Sequence, residues 1–403
     1  MIRTRYRKIK SGVAAPRGFR AAGWACGIKK KGREDLALVY SEEVASAAGA
    51  FTANRLRAAP VRLSRQQLRT GRGQAVIANS GAANACTGRE GEEDARKMVR
   101  ETAAALEINV DLVTVCSTGR IGKKLPLRKI TAGIKHLAGI IAVGGNKTAA
   151  RAIMTTDTSP KEVAIEFPVG NKKVRIGGMA KGAGMIYPRL EVNSPLHATM
   201  LAFLTTDAAI PAGLLREMLF RSVEQSFNRV TVDGDTSTND SVILLANGRS
   251  GVRIGRSGKV KFSEALDYVT RSLARMIAAD GEGASKFIEL EVKGARSQRE
   301  AQRAAAAVAN SVLFKTALYG RTPNWGRIMA ALGYSGVEVR EDKINIYLEK
   351  VQIIKKGLPA AGSVHSLLRK KELKFTIDLG LGKGRGIYYT CDLTPEYVEI
   401  NKK

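Results

Sequence analysis

Histidine and cysteine are scarce in this 403-residue chain: three of one and four of the other. His136, His197 and His365 show no HxxxH spacing, and Cys26, Cys86, Cys116 and Cys391 form no CxxC pair. Neither set has the ligand spacing of a zinc site, so no metal is expected. The cysteines read instead as buried or loop thiols in a reducing compartment. Aromatic residues make up only 5% of the chain, too few for a base-stacking platform. Long apolar runs are missing too. HLAGIIAVGG, after Lys135, falls well short of the ~20 residues a membrane span needs. The first ten residues, MIRTRYRKIK, are basic, but no apolar stretch follows them, which argues against a secretory signal.

Acidic residues are outnumbered, 37 against 66 Lys and Arg, which leaves a net charge of +29. Such a balance suits phosphate neutralisation in a nucleic-acid-binding protein. Here the basic residues are spread along the chain and no nucleic-acid motif accompanies them, so they read as a generally basic solvated surface. That field would still attract anionic small molecules. Hydrophobic content of 44% and charged content of 26% belong to a globular chain, long enough for two or three domains.

Proline is sparse (11) and glycine abundant (41). Between the glycines, LALVY, QAVIAN and LVTVCS read as buried strands. EEDARKMVRETAAALEI, from Glu92, has helical spacing and acidic residues in its first turn. Residues Ser263 to Ala278 read as a helix with Ser263 at the N-cap. SQREAQRAAAAVANSVLFKTAL, from Ser297, reads as one long helix with a small-residue face. Alternating strands and helices make the chain α/β. KINIYLEK and KFTIDLG predict a separate C-terminal sheet.

One threonine stands out. Thr199 follows Ala198 and opens the apolar run MLAFL. A threonine there is ordinarily a strand residue. If the bond before it were cut, its new α-amine, with a reference pKa of about 7.7–8, would be a built-in base for its own hydroxyl. Cys116 is a competing nucleophile.

Ten segments, in order, resemble the ornithine acetyltransferase family, also called glutamate N-acetyltransferase or ArgJ. They are GVAAPRGFRAAG (12–23), ANSGAANACTG (78–88), CSTGRIGKKLP (116–126), AIMTTDTSPK (152–161), KGAGMI (181–186), ATMLAFLTTDA (198–208), FNRVTVDGDTSTNDS (227–241), DGEGASK (280–286), PNWGRI (323–328) and CDLTPEYVEIN (391–401). The resemblance implies a layered αββα fold like that of the N-terminal-nucleophile hydrolases, with a smaller C-terminal α/β domain from about residue 290. It implies self-cleavage between Ala198 and Thr199, into an α segment of residues 1–198 and a β segment of residues 199–403. It further implies an α₂β₂ heterotetramer in the cytoplasm, bound to neither nucleic acid nor membrane.

The same resemblance implies acetyl transfer from N-acetylornithine to glutamate through an acetyl-Thr199 ester, with no cofactor. Acetyl-CoA is a second donor in some members. Thr118 and Gly119 match the family's oxyanion pair, one by hydroxyl and the other by backbone N–H. Thr155, Lys181, Thr199, Glu282 and Asn401 match its substrate-binding positions. Taken without the family, Thr118–Gly119 is a plain turn, Lys181 a solvated lysine, and Thr155 and Glu282 turn residues. Three departures are visible. About seven extra residues lie between Arg189 and His197, just before the cut; Thr322 replaces a usual Asp; and the chain stops at Lys403, short of the family's terminal Ser or Thr substrate contact. An amidase or aminopeptidase on the same fold, with water as acceptor, is the alternative enzyme.

Overall fold

The computed structural model describes residues 6–30, 32–188, 190, 200–255 and 258–402. It divides into two compact units. The first comprises Met1–Asn228 and Thr236–Leu273; the second comprises Arg229–Asp235 and Ala274–Lys403.

The first unit is built on a nine-stranded sheet. Its strands are β1 (Arg7–Lys8), β2 (Phe19–Trp24), β3 (Leu36–Phe51), β4 (Arg72–Ala82), β5 (Val113–Arg120), β6 (Lys161–Val169), β7 (Lys172–Lys181), β8 (Leu201–Thr206) and β9 (Ser241–Ala246). Their order is β1-β6-β7-β8-β9-β3-β4-β5, with β2 also paired to β3. The 16-residue β3 joins two half-sheets. Its first part pairs with β2 and β4, and its last six residues, Ser46–Phe51, pair with β9 across a register shift after Tyr40.

The two half-sheets face each other. One buried cluster takes Ala37, Val39, Val76 and Ala78 from one half and Met179, Phe203, Ile243 and Leu245 from the other. The abundance of alanine in this layer lets the sheets approach closely. On the outer face of β2–β5, Leu36, Leu38 and Ile77 pack against α2 (Gly88–Leu106) and α3 (Leu127–Ile140) through Met98, Val99, Ile130 and Ile134. On the outer face of β7–β8, Gly178 lies under Val269 and Leu273 of the helix Lys259–Ala279. The layers therefore run α, β, β, α, in the order the resemblance implies.

The second unit carries its own six-stranded sheet, in the order β13-β12-β11-β14-β10-β15. The strands are β10 (Phe287–Ala295), β11 (Asn345–Leu348), β12 (Val351–Lys355), β13 (Leu358–Pro359), β14 (Glu372–Asp378) and β15 (Gly384–Cys391). KINIYLEK and KFTIDLG do supply two neighbours of this sheet, β11 and β14, which pair antiparallel. Against it lies a helix, Gln298–Asn310, whose buried face is Ala301, Ala304, Ala305, Val308 and Ala309. A Cβ at Gly386 on β15 would fall 2.7 Å from the backbone N of Gln302, so the helix can press this close only against glycine.

Two helix boundaries differ from expectation. The segment from Ser297 is two helices, Gln298–Asn310 and Val312–Tyr319. Ser311 takes an extended ψ of 110° and its Oγ accepts from Phe314 N–H, so a second N-cap interrupts the pattern. Ser263 is not a cap. The helix begins four residues earlier, at Lys259, and Ser263 Oγ is buried with no hydrogen-bond partner among the described residues.

Ser311→Ala should lower the stability of the second unit by about 1 kcal/mol, read as a reduced denaturation midpoint by circular dichroism. Ser311→Asp should preserve it. Equal stability of Ser311→Ala and the parent would remove the capping role.

Candidate active site

Three strands of the first unit bring the predicted residues together. Lys181, at the end of β7, is opposite Leu201 on β8, and Leu201 is level with Ser241 on β9. Thr118 and Gly119 lie at the end of β5. A turn after the helix Asn146–Ala152 carries Thr155 and Asp157. Lys181 is only 2% exposed, which overturns the solvated-lysine alternative. Its Nζ donates to Thr155 Oγ1 at 2.8 Å and to Thr118 Oγ1 at 3.4 Å.

Asp157 organises this cluster. Its carboxylate accepts from Lys161 Nζ at 2.7 Å, from Gly182 N–H at 2.7 Å and from Thr155 N–H at 3.0 Å, and it lies 3.9 Å from Lys181 Nζ. Burial opposes its ionisation. The two lysines and the Gly182 N–H outweigh that and hold the carboxyl well below the usual carboxylate range. Two buried lysine side chains thus share one buried aspartate.

Gly119 has φ +128°, and a Cβ there would lie 2.5 Å from the Gly81 carbonyl carbon, so β4 and β5 can meet at this end only through glycine. Beside Gly81 runs Lys29, whose amine donates to Glu34 O at 2.8 Å. Burial lowers the Lys29 amine to about 8, assisted by Arg33. Cys116, two residues before Thr118, is fully buried, and burial pushes its thiol up to about 12. It is therefore no nucleophile at neutral pH.

In the second unit, Asn401 Nδ2 donates to Glu282 Oε2 at 2.8 Å. Glu282 keeps company with Asp233, Asp235 and Tyr397. Burial and the negative charges of these three acids raise the Tyr397 hydroxyl above its ordinary value. This group can meet a cationic ammonium. Ala198 and Thr199 lie outside the described residues. The chain on either side of them is described: Leu190 bridges to Thr52, and the buried Met200 leads into β8.

Asp157, Lys161, Lys29, Asp240, Asp233 and Tyr397 were not singled out from sequence. Five of them sit inside quoted segments: Asp157 and Lys161 in AIMTTDTSPK, Asp233 and Asp240 in FNRVTVDGDTSTNDS, and Tyr397 in CDLTPEYVEIN. An acid four residues before a lysine was the one readable sign of the Asp157–Lys161 pair.

The layering and the polar cluster at the strand ends define an αββα protein with charged groups gathered beside the start of a central strand. The chain belongs to the ArgJ family, whose model matches residues 20–403. It is 47% identical over 401 residues to the arginine biosynthesis bifunctional protein ArgJ of Symbiobacterium thermophilum, covering 98% of each chain. It is 45% identical over 408 residues to the glutamate N-acetyltransferase of Methanocaldococcus jannaschii, again over 98% of each. Among solved structures it is similar to the ornithine acetyltransferase of Mycobacterium tuberculosis complexed with ornithine. That match has 47% identity and a TM-score of 0.43, and covers 46% of this chain and 100% of that one.

Asp157→Asn should cost about 3–5 kcal/mol at pH 7, because it leaves two buried lysines without their counter-ion. The depressed carboxyl gives stability that is complete above its unfolded value near pH 4 and is lost as pH falls toward its folded value. Acid titration of unfolding should therefore be shallower below about pH 4 in the variant. Parallel acid limbs would show that Asp157 does not contribute in this way.

Proposed function

We propose that this chain cuts itself between Ala198 and Thr199 and then carries an acetyl group from N2-acetylornithine to glutamate on the Thr199 hydroxyl. Membership of the ArgJ family, and a relative of equal length named glutamate N-acetyltransferase, support the reaction class. The observation that carries the site assignment is the Lys181–Thr118–Thr155 cluster, level with Leu201 and so two residues from Thr199.

In the uncut chain the Thr199 nitrogen is an amide and cannot act as a base. Attack of its hydroxyl on the Ala198 carbonyl moves the acyl group from nitrogen to oxygen. Water then hydrolyses that ester and leaves Thr199 with a free α-amine. In transfer, the amine takes the hydroxyl proton as Oγ attacks the acetyl carbon of N-acetylornithine. The amine returns the proton to the departing ornithine nitrogen. Glutamate's amine then attacks the acetyl ester, which breaks to restore the hydroxyl and release N-acetylglutamate.

Each displacement passes through an oxyanion. Thr118 accepts its hydrogen bond from Lys181, so its own O–H proton is available to donate to that oxyanion. The Gly119 N–H is the second donor. Lys181 and Thr155 bind the amino-acid portion of the substrate, Lys181 as a buried cation. Glu282, hydrogen-bonded by Asn401, supplies an acid whose chemistry suits an ammonium. No cofactor is required; acetyl-CoA serves as a second acetyl donor. The α and β segments stay together, as an α₂β₂ assembly in the cytoplasm.

Intact mass under denaturing conditions should give two fragments that sum to the chain plus one water, the second starting at Thr199. Thr199→Ala should remain a single chain without transfer activity; acetyl transfer by that variant would sink the nucleophile assignment. Thr118→Ala should lower kcat roughly 10² to 10³-fold. Acetate released faster than acetyl reaches glutamate would make water the acceptor and the protein an amidase.

A further inference from the structure

Glu282 stands on the connection 280–286, between the helix Lys259–Ala279 and β10. Glycines flank it on both sides, and a glycine-rich turn left to itself would not hold a carboxylate in one place. In the second unit this turn is fastened along its length to one other segment, residues 390–401.

Asp392 is the first fastening. It stands one residue beyond β15, and Lys286 one residue before β10, where the two strands end their pairing at Phe287 and Cys391. Asp392 is 2% exposed. Its Oδ1 accepts from Ser285 N–H at 2.8 Å and from Lys286 N–H at 2.9 Å, and its Oδ2 accepts from the Ser285 hydroxyl. Hydrogen bonds to an ionised acceptor are the stronger class. Thr394 is the second fastening. It precedes the helix Pro395–Asn401, where a threonine hydroxyl ordinarily caps the helix. It makes no cap bond here, and its Oγ1 donates instead to Gly283 O at 2.6 Å.

Main-chain contacts close the joint. Gly283 has φ +67°, and a Cβ there would fall 2.5 Å from Tyr397 N. On the other side of Glu282, a Cβ at Gly281 would fall 2.8 Å from Cys391 Sγ. The segment that receives the turn is itself anchored, because the buried Lys315 donates to Thr390 Oγ1 at 3.0 Å and to Cys391 O. Asn401 Nδ2, which bonds the Glu282 carboxylate, also donates to Tyr397 O at 3.0 Å.

We propose that Asp392 and Thr394 are positioning residues for Glu282, clamping its turn to the C-terminal segment so that the carboxylate is preset for the side-chain ammonium of the acetyl donor. The proposal rests on the reading of Glu282 given above and deepens it. A carboxylate already held in place is not ordered at the moment the cation binds, so less of their attraction is lost. The clamp therefore acts on specificity. It favours a donor with a terminal ammonium over one of the same shape without it.

The test compares kcat/KM for N-acetylornithine with kcat/KM for N-acetylnorvaline, which has the same carbon chain and no terminal amine. The ratio of the two should fall about tenfold in Asp392→Ala. Asp392→Asn keeps an oxygen for the two N–H groups and should restore most of it. Glu282→Gln should lower the ratio at least as far. Adding Asp392→Ala to Glu282→Gln should lower it no further, since both act through one carboxylate. A loss shared equally by the two donors in Asp392→Ala would show a role in folding alone and overturn the proposal. So would a double variant well below Glu282→Gln. If Glu282→Gln leaves the ratio unchanged, the ammonium reading of Glu282 fails first and the clamp with it. If Glu282→Gln lowers it and Asp392→Ala does not, the clamp alone is wrong. Should Asp392→Ala not fold, Thr394→Val decides by the same ratio: a fall of about threefold supports the clamp, and no change overturns it.

Discussion

The buried carboxylate of Asp157 is the interaction on which the site depends. Lys161 begins β6 and Lys181 ends β7, and both point inward from one edge of an apolar sandwich. Burying two ammonium groups there is costly without an anion, and Asp157 provides one for both. The same carboxylate accepts the Thr155 and Gly182 N–H groups, fixing the turn that presents Thr155 and the chain that leaves β7. One residue thus neighbours the Lys181 ammonium and fixes the backbone of the threonine that ammonium bonds.

Backbone packing sets the other side of the site. β5 reaches Lys181 because β4 and β5 close up at Gly81–Gly119, where a side chain on either would collide with its neighbours. Asn239 ties the approach to β9 to that same end, its side chain donating to Ala83 O and to Ser117 O at 2.8 Å. Thr118, Lys181 and Asp240 are therefore held by strand pairing together with the buried side chains of Asn239 and Asp157. That rigidity suits a site that must offer fixed donors to a transient oxyanion.

The layers were legible in the sequence because they depend on local periodicity. LALVY, QAVIAN and LVTVCS are apolar on both faces, as strands between a sheet and a helix layer must be. What was not legible is pairing across distance. Nothing within a few residues of Asp240 shows that it lies beside Met200, or that no donor among the described residues reaches it. Lys29 is about 150 residues from the lysine whose field it feels. The two helix boundaries failed for a local reason. Ser311 and Ser263 both look like caps or both like interior residues until the backbone dihedral is known, and one turned out to be each.

The division of charge gives the arrangement its chemical sense. The first unit concentrates buried cations, Lys161 and Lys181 with Lys29 nearby, around threonine hydroxyls. The second gathers Asp233, Asp235 and Glu282 around Tyr397 and Asn401. The net charge of +29 would favour anions everywhere on the surface. A dicationic or zwitterionic amino acid is better served by a local acidic group that reverses that field. Asp233, Asp235 and Glu282 form such a group around Tyr397, whereas Asp157 beside Lys181 is engaged with Lys161 and Lys181. Each unit thus carries its own concentration of charge: buried cations beside threonine hydroxyls in the first, and acids around Tyr397 in the second.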